Sequence, residues 1–179
     1  MGVHEAYHLS RANRIIHWLC IPLELLAVLK LLSLVALGPI DLAVVVIIGV
    51  GVIYLATEPL AGALMILGLV GLHAVALRCS TGALAIDAAA AVGLFVVPFV
   101  IQTRVGHQIY EQGIDDTEKN LAELRRRLDP IPILLVFYYH LVEILFAFGY
   151  RPALRREVER YRDDELARIV PDPRRSATA

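Results

Sequence analysis

The sequence predicts an all-α integral membrane bundle of about four transmembrane helices, with a re-entrant or interfacial fifth helix and amphipathic segments on the cytoplasmic side. Three observations predict it. Hydrophobic residues fill 58% of 179 positions, above the ~45–50% apolar usage of an ordinary soluble domain. Residues 42–57, 59–77 and 88–103 contain no Asp, Glu, Lys or Arg. Most of the charge collects at the two ends and between Arg104 and Asp129, which marks the parts that face water.

Each element follows from the length a bilayer demands, ~20 mostly apolar residues for a crossing helix. The first runs from about Ile15 to Leu37, after Ser10 as N-cap and before the turn pair Gly38-Pro39, with Pro22 expected to kink it. A second, Leu42 to Thr57, is short for a crossing, and Glu58-Pro59 joins it to a third, Pro59 to Leu77, as a tight helical hairpin. The fourth runs from about Gly82 to Thr103. Leu121, Leu124 and Leu128 then recur at helical spacing in a polar segment, which suits a helix lying at the membrane surface. Asp129-Pro130-Ile131-Pro132 breaks that segment before a fifth apolar stretch, Ile133 to Phe148. A basic tail follows, with residues 171–179 expected to be disordered, so that 1–170 form one membrane-embedded domain.

Charge sets the orientation. With Arg11, Arg14 and the Arg104–Arg127 segment inside, the enrichment of cytoplasmic loops in Lys and Arg places both termini in the cytoplasm. A full fifth crossing would export Arg151, Arg155, Arg156, Arg160 and Arg162, hence the re-entrant or surface-bound expectation. The membrane would be a bacterial inner membrane, or the endoplasmic reticulum in a eukaryote. A net charge of −1 gives no reason to expect nucleic acid, while the arginines suit anionic lipid headgroups. Cys20 and Cys79 lie far from any CxxC spacing and are expected as packing thiols.

Ionisable or metal-ligating side chains are costly beside hydrocarbon, so a cluster of them at one face is a functional site by default. The expected topology brings His8 and His17, at the start of the first helix, to the same face as His107, just beyond the fourth. Nine residues apart on one helix, His8 and His17 would point opposite ways. His8 must therefore precede the helix and fold back, while Asn13 and His17, four apart, share a face. His107 and Glu111 repeat that spacing. Three imidazoles and a carboxylate suit iron, zinc or copper without choosing among them, and the competing view is that the rings only snorkel to the interface. His140 is a possible fourth ligand, depending on how far the fifth helix dips. His73 falls at the opposite face, where the plain expectation is a hydrogen bond to a neighbouring carbonyl. His4 is expected to be solvated.

Tyr7-His8-(x4)-Asn13-(x3)-His17 with Pro22, then Gln102-(x3)-Gly106-His107-(x3)-Glu111, and Glu143-Ile144-Leu145-Phe146-(x2)-Gly149 together resemble the 2-hydroxy fatty acid dioxygenase family of phytosphingosine breakdown, with fungal endoplasmic-reticulum members and bacterial relatives. The resemblance spans roughly residues 5 to 155. It implies a non-haem Fe(II)-dependent α-oxidation, in which dioxygen and a 2-hydroxy fatty acid give the acid one carbon shorter. It also implies Fe(II) on His8, His17 and His107, with open positions for the substrate's hydroxyl and carboxylate and for dioxygen. Asn13, Gln102 and Glu111 become groups that fix the imidazoles, or Glu111 a ligand. Glu143 becomes the anchor of a hydrogen-bond network with Tyr7 or Tyr110, or else a packing carboxylate paired with an arginine. The chain departs from the family at Gln112 to Thr117, where relatives carry an Arg-Lys/Arg-Pro-Ala stretch that bears on the substrate carboxylate. Other classes that fit the composition are a transporter handling metal or protons and a haem-binding membrane protein.

Overall fold

The computed structural model describes residues 8–110 and 131–169. His4, Tyr7, Glu111, the segment through Leu121, Leu124 and Leu128, and the tail from Pro171 lie outside the described residues. What is described is almost entirely helical: α1 (Arg11–Ser33), β1 (Ala36–Leu37), β2 (Ile40–Asp41), α2 (Leu42–Thr57), α3 (Pro59–Arg78), α4 (Leu84–Val100), α5 (Ile131–Ala147) and α6 (Pro152–Ile169). Beyond α4 the helix continues through a π-helical stretch, Ile101–His107, and a last α turn, Gln108–Tyr110. Among the described residues three helices, Arg11–Ser33, Pro59–Arg78 and Leu84–Tyr110, are long and apolar enough to cross a membrane. The chain divides into two compact units, one of Met1–Ile15 with Thr103–Ala179 and one of Ile16–Gln102.

In the second unit, α1 ends on a β-hairpin whose two-residue turn is Gly38-Pro39, with Ala36 opposite Asp41 and Leu37 opposite Ile40. Gly38 has φ +73°, which fits the first central position of a type II′ turn and strains any residue with a Cβ. Asp41 then caps α2, its Oδ1 accepting from the Val44 N–H at 3.1 Å. Glu58 serves both sides of the expected tight corner: its own N–H donates to the Tyr54 carbonyl, and its Oε2 accepts from the Ala61 N–H at 2.7 Å. With Pro59 at the first position of α3, where a missing N–H costs nothing, the chain reverses without a loop.

The pair α2–α3 can lie close because of Gly62. A Cβ built there would meet the Tyr54 carbonyl carbon and oxygen at 2.6 Å, which is backbone and cannot yield. Replacing Gly62 with alanine is expected to cost about 2 kcal/mol by overpacking, read as a lower unfolding midpoint in detergent. Gly68→Ala is the control, because nothing lies within 4 Å of its Cβ position. Equal midpoints for the two variants would refute the close-approach account.

Among the described residues several charged or polar side chains are inside while many large apolar ones are outside. Glu24, Lys30, Asp87 and Gln102 are buried, whereas Leu19, Ile48, Val52, Leu67, Leu84 and Val97 are exposed. An apolar outer surface of this extent is compatible with lipid contact. The buried charges are paired. Lys30 Nζ lies 3.2 Å from Asp87 Oδ1 and donates to the Cys79 carbonyl at 3.3 Å. Asp87 also accepts from Ser80 Oγ at 2.7 Å and from the N–H and hydroxyl of Thr81. Its place in the first turn of α4 adds favourable helix-end electrostatics. The hairpin end carries another pair, His73 Nε2 donating to Asp41 Oδ2 at 2.8 Å, so His73 meets a carboxylate in place of the expected carbonyl. Cys20 is buried as expected; Cys79 is exposed and does not pack.

In the first unit, α5 is followed by a turn that holds Gly149 (φ +83°) and Arg151 (φ +43°), and α6 starts at Pro152. Arg155 reaches back to the Phe146 carbonyl at 3.2 Å, satisfying an acceptor at the end of α5, and pairs with Glu159 one turn on at 2.8 Å. The expected basic tail is thus a helix through Ile169. Its charges come in blocks of opposite sign, and Val158 is buried on its inner side.

Candidate metal centre

His8 lies ahead of α1, which begins at Arg11, after Ser10, whose hydroxyl stands 3.5 Å from the Asn13 N–H. Asn13 and His17 share one face of α1 and are both buried, Asn13 completely. His107 closes the π-helical stretch. In an ordinary helix five residues carry a side chain about 140° round the axis. Wider i→i+5 winding brings residues five apart, such as Gln102 and His107, nearer to one face. Pro98, three residues before the stretch, already withholds an N–H from the Leu94 carbonyl, and such breaks in the ladder accompany irregular winding.

The ligand atoms of His8, His17 and His107 all lie within 4.8 Å of one another. Rings of His8 and His107 meet edge to face, with centroids 4.9 Å apart. His8 and His17 are 7% and 4% exposed, so neither ring snorkels to water. Burying several imidazoles together is costly unless their nitrogens are satisfied, and one ion satisfies three at once. With metal–nitrogen bonds of ~2.0–2.1 Å, tetrahedral donors stand about 3.3 Å apart. Closing from the widest separation is a shift of roughly 1.5 Å or less, the scale of a ring rotation. The donor set therefore fits a transition-metal ion with coordination positions left over.

His140, the possible fourth ligand, is buried with its ring 5.6 Å from that of His8, but it is not among the ligand atoms that lie within 4.8 Å of one another. Its Nδ1 lies 3.6 Å from Glu143 Oε2, and Glu143 Oε1 accepts from Arg14 at 3.2 Å. Glu143 thus has the arginine partner, while Tyr110 is half exposed. Gln102 finds a partner the spacing did not name: its Nε2 donates to Glu24 Oε1 at 2.7 Å, with both side chains buried. Glu24 and Lys30 register in the sequence only as interruptions of an apolar run, and Arg14 only as a topology signal. A signal existed for Glu24, seven residues after His17 and so on the same helical face. Glu111 cannot be added to the site, since it lies outside the described residues.

No family model, curated protein or solved structure matches the chain.

Proposed function

We propose that the protein is an Fe(II)-dependent dioxygenase of a membrane bundle of about four crossings, acting on 2-hydroxy fatty acids. The observation that carries this is the convergence of His8, His17 and His107 from two distant stretches of chain. The resemblance of the three motifs supplies the reaction. Its balance needs no reductant: a 2-hydroxy acid and dioxygen give the acid one carbon shorter, carbon dioxide and water, and dioxygen is the only oxidant.

His8, His17 and His107 would hold the ion. Bound there, Fe(II) with three protein ligands supplies Lewis acidity and positions for dioxygen and for the substrate's vicinal oxygens. The chain's own groups do the rest. Burial of His8, His17 and Asn13 keeps bulk water from the reacting carbon. Asn13, one turn before His17, is suited to orient that imidazole. The Glu24–Gln102 pair satisfies two polar groups that would otherwise be exposed to hydrocarbon. The apolar exterior of the helices gives a lipid substrate a sideways route from the bilayer, with both termini on the cytoplasmic side.

The test is direct. Protein purified in detergent without chelators and loaded anaerobically with Fe(II) is supplied with 2-hydroxypalmitate and oxygen. The expected product is the fifteen-carbon acid, with one equivalent of carbon dioxide from the labelled carboxyl group. Iron-loaded protein that leaves the substrate intact would refute the reaction.

A further inference from the structure

We infer that Glu24 is a positioning residue of the metal centre: through Gln102 it sets the rotation of the π-helical stretch that ends in His107. The inference rests on the metal-centre proposal above. Glu24 lies seven residues beyond His17 on α1, on the same face and about 10 Å along the axis. Its Oε1 accepts from Gln102 Nε2 at 2.7 Å, and both side chains are buried. Gln102 is the second residue of the stretch Ile101–His107, and His107 is the last. The stretch is therefore tied to one face of α1 twice. Glu24 holds its start, and at its end the ligand atoms of His17 and His107 lie within 4.8 Å of one another.

Ordinary α winding works against making both ties. Five residues carry a side chain about 140° round an α-helix, so a Gln102 turned toward Glu24 would leave His107 turned away from His17. Wider i→i+5 winding reduces that angle and lets both residues face α1. Such winding is rare and frequent at functional sites, and here the Glu24 hydrogen bond supplies a contact that holds it. The chemistry of the pair points the same way. A carboxylate and an amide buried among apolar side chains cost desolvation, which an apolar pair of similar volume would avoid. Apolar packing tolerates small rotations, however, whereas a hydrogen bond between two buried groups is directional. Fixing a register is the best-attested use of such buried polar groups.

The experiment separates positioning from stability, and it needs no turnover. The full chain in detergent is titrated with Co(II) against a competing chelator, and the unfolding midpoint is measured without metal. In Glu24→Leu/Gln102→Leu the midpoint is expected at or above that of the wild type, while Co(II) affinity falls about 10- to 100-fold. X-ray absorption of the Co(II)-loaded double variant is expected to show one imidazole scatterer fewer than the wild type. Glu24→Gln keeps an accepting oxygen in place and is expected to bind Co(II) as the wild type does. Wild-type affinity in the double variant would overturn the positioning role and leave the three-histidine centre standing. A double variant that no longer folds would overturn it too, since the pair would then hold the helices together and not the rotation of one stretch. Weakened binding in Glu24→Gln would assign the effect to charge and likewise overturn it. Wild-type protein that binds no Co(II) would overturn the centre itself.

Discussion

Replacement of His17 by alanine is expected to abolish tight metal binding, with affinity falling at least 100-fold, and to abolish substrate shortening with it. Of the three clustered rings, His17 is the one whose position the helix fixes most firmly, since it lies six residues inside α1. Removing one of three donors also leaves His8 and His107 with a poorly filled shell, because imidazole sites gain their affinity from the combined set. His73→Ala is the matched control. His73 is paired with Asp41 and contributes nothing to the cluster, so metal content in that variant should equal the wild type. Elemental analysis of the two purified variants checks the prediction. Full metal occupancy in His17→Ala would sink the proposed centre, whatever the activity shows.

The second large effect is structural. Lys30→Met is expected to destabilise the protein by about 3 kcal/mol, because loss of one partner leaves a buried charge without compensation. The side chains of Lys30 and Asp87 are 7% and 2% exposed, and Asp87 keeps only its Ser80 and Thr81 donors in the variant. The double variant Lys30→Met/Asp87→Leu should recover much of the loss, since an apolar pair of similar volume replaces an ion pair at little net cost. Unfolding followed through Trp18 fluorescence in detergent measures both. Equal stability of the single and double variants would mean that the pair carries no such coupling.

Helix positions were largely legible in the sequence because a crossing needs an unbroken apolar run, and Gly38-Pro39 and Glu58-Pro59 stop such runs by backbone chemistry alone. The start of α1 at Arg11 was legible only through Ser10 as its N-cap, because its first turn is polar and lies ahead of the apolar stretch. The helix α6 was hidden for the same reason, as its support comes from Arg155–Glu159 pairing and from the contact with Phe146. The convergence of His8, His17 and His107 followed from placing helix ends at one face. The wide winding before His107 did not, because a single extra residue per turn leaves no compositional trace beyond Pro98. Partners of long side chains were the least legible. Gln102 with Glu24, and Glu143 with Arg14 and His140, depend on which rotamer reaches which neighbour, and spacing along one chain says little about that.

The corner at Glu58 joins helices of unequal reach, α2 of 16 residues and α3 of 20, or about 24 and 30 Å. A hydrocarbon core of ~30 Å matches the longer one only. In a bilayer, the Asp41–His73 pair and the turn beneath it would then end several ångströms short of the headgroups on that side. Boundary lipids would have to dimple inward there to keep two ionisable groups wet. Such a dimple would cost more in a thick, sterol-rich sheet than in a thin one.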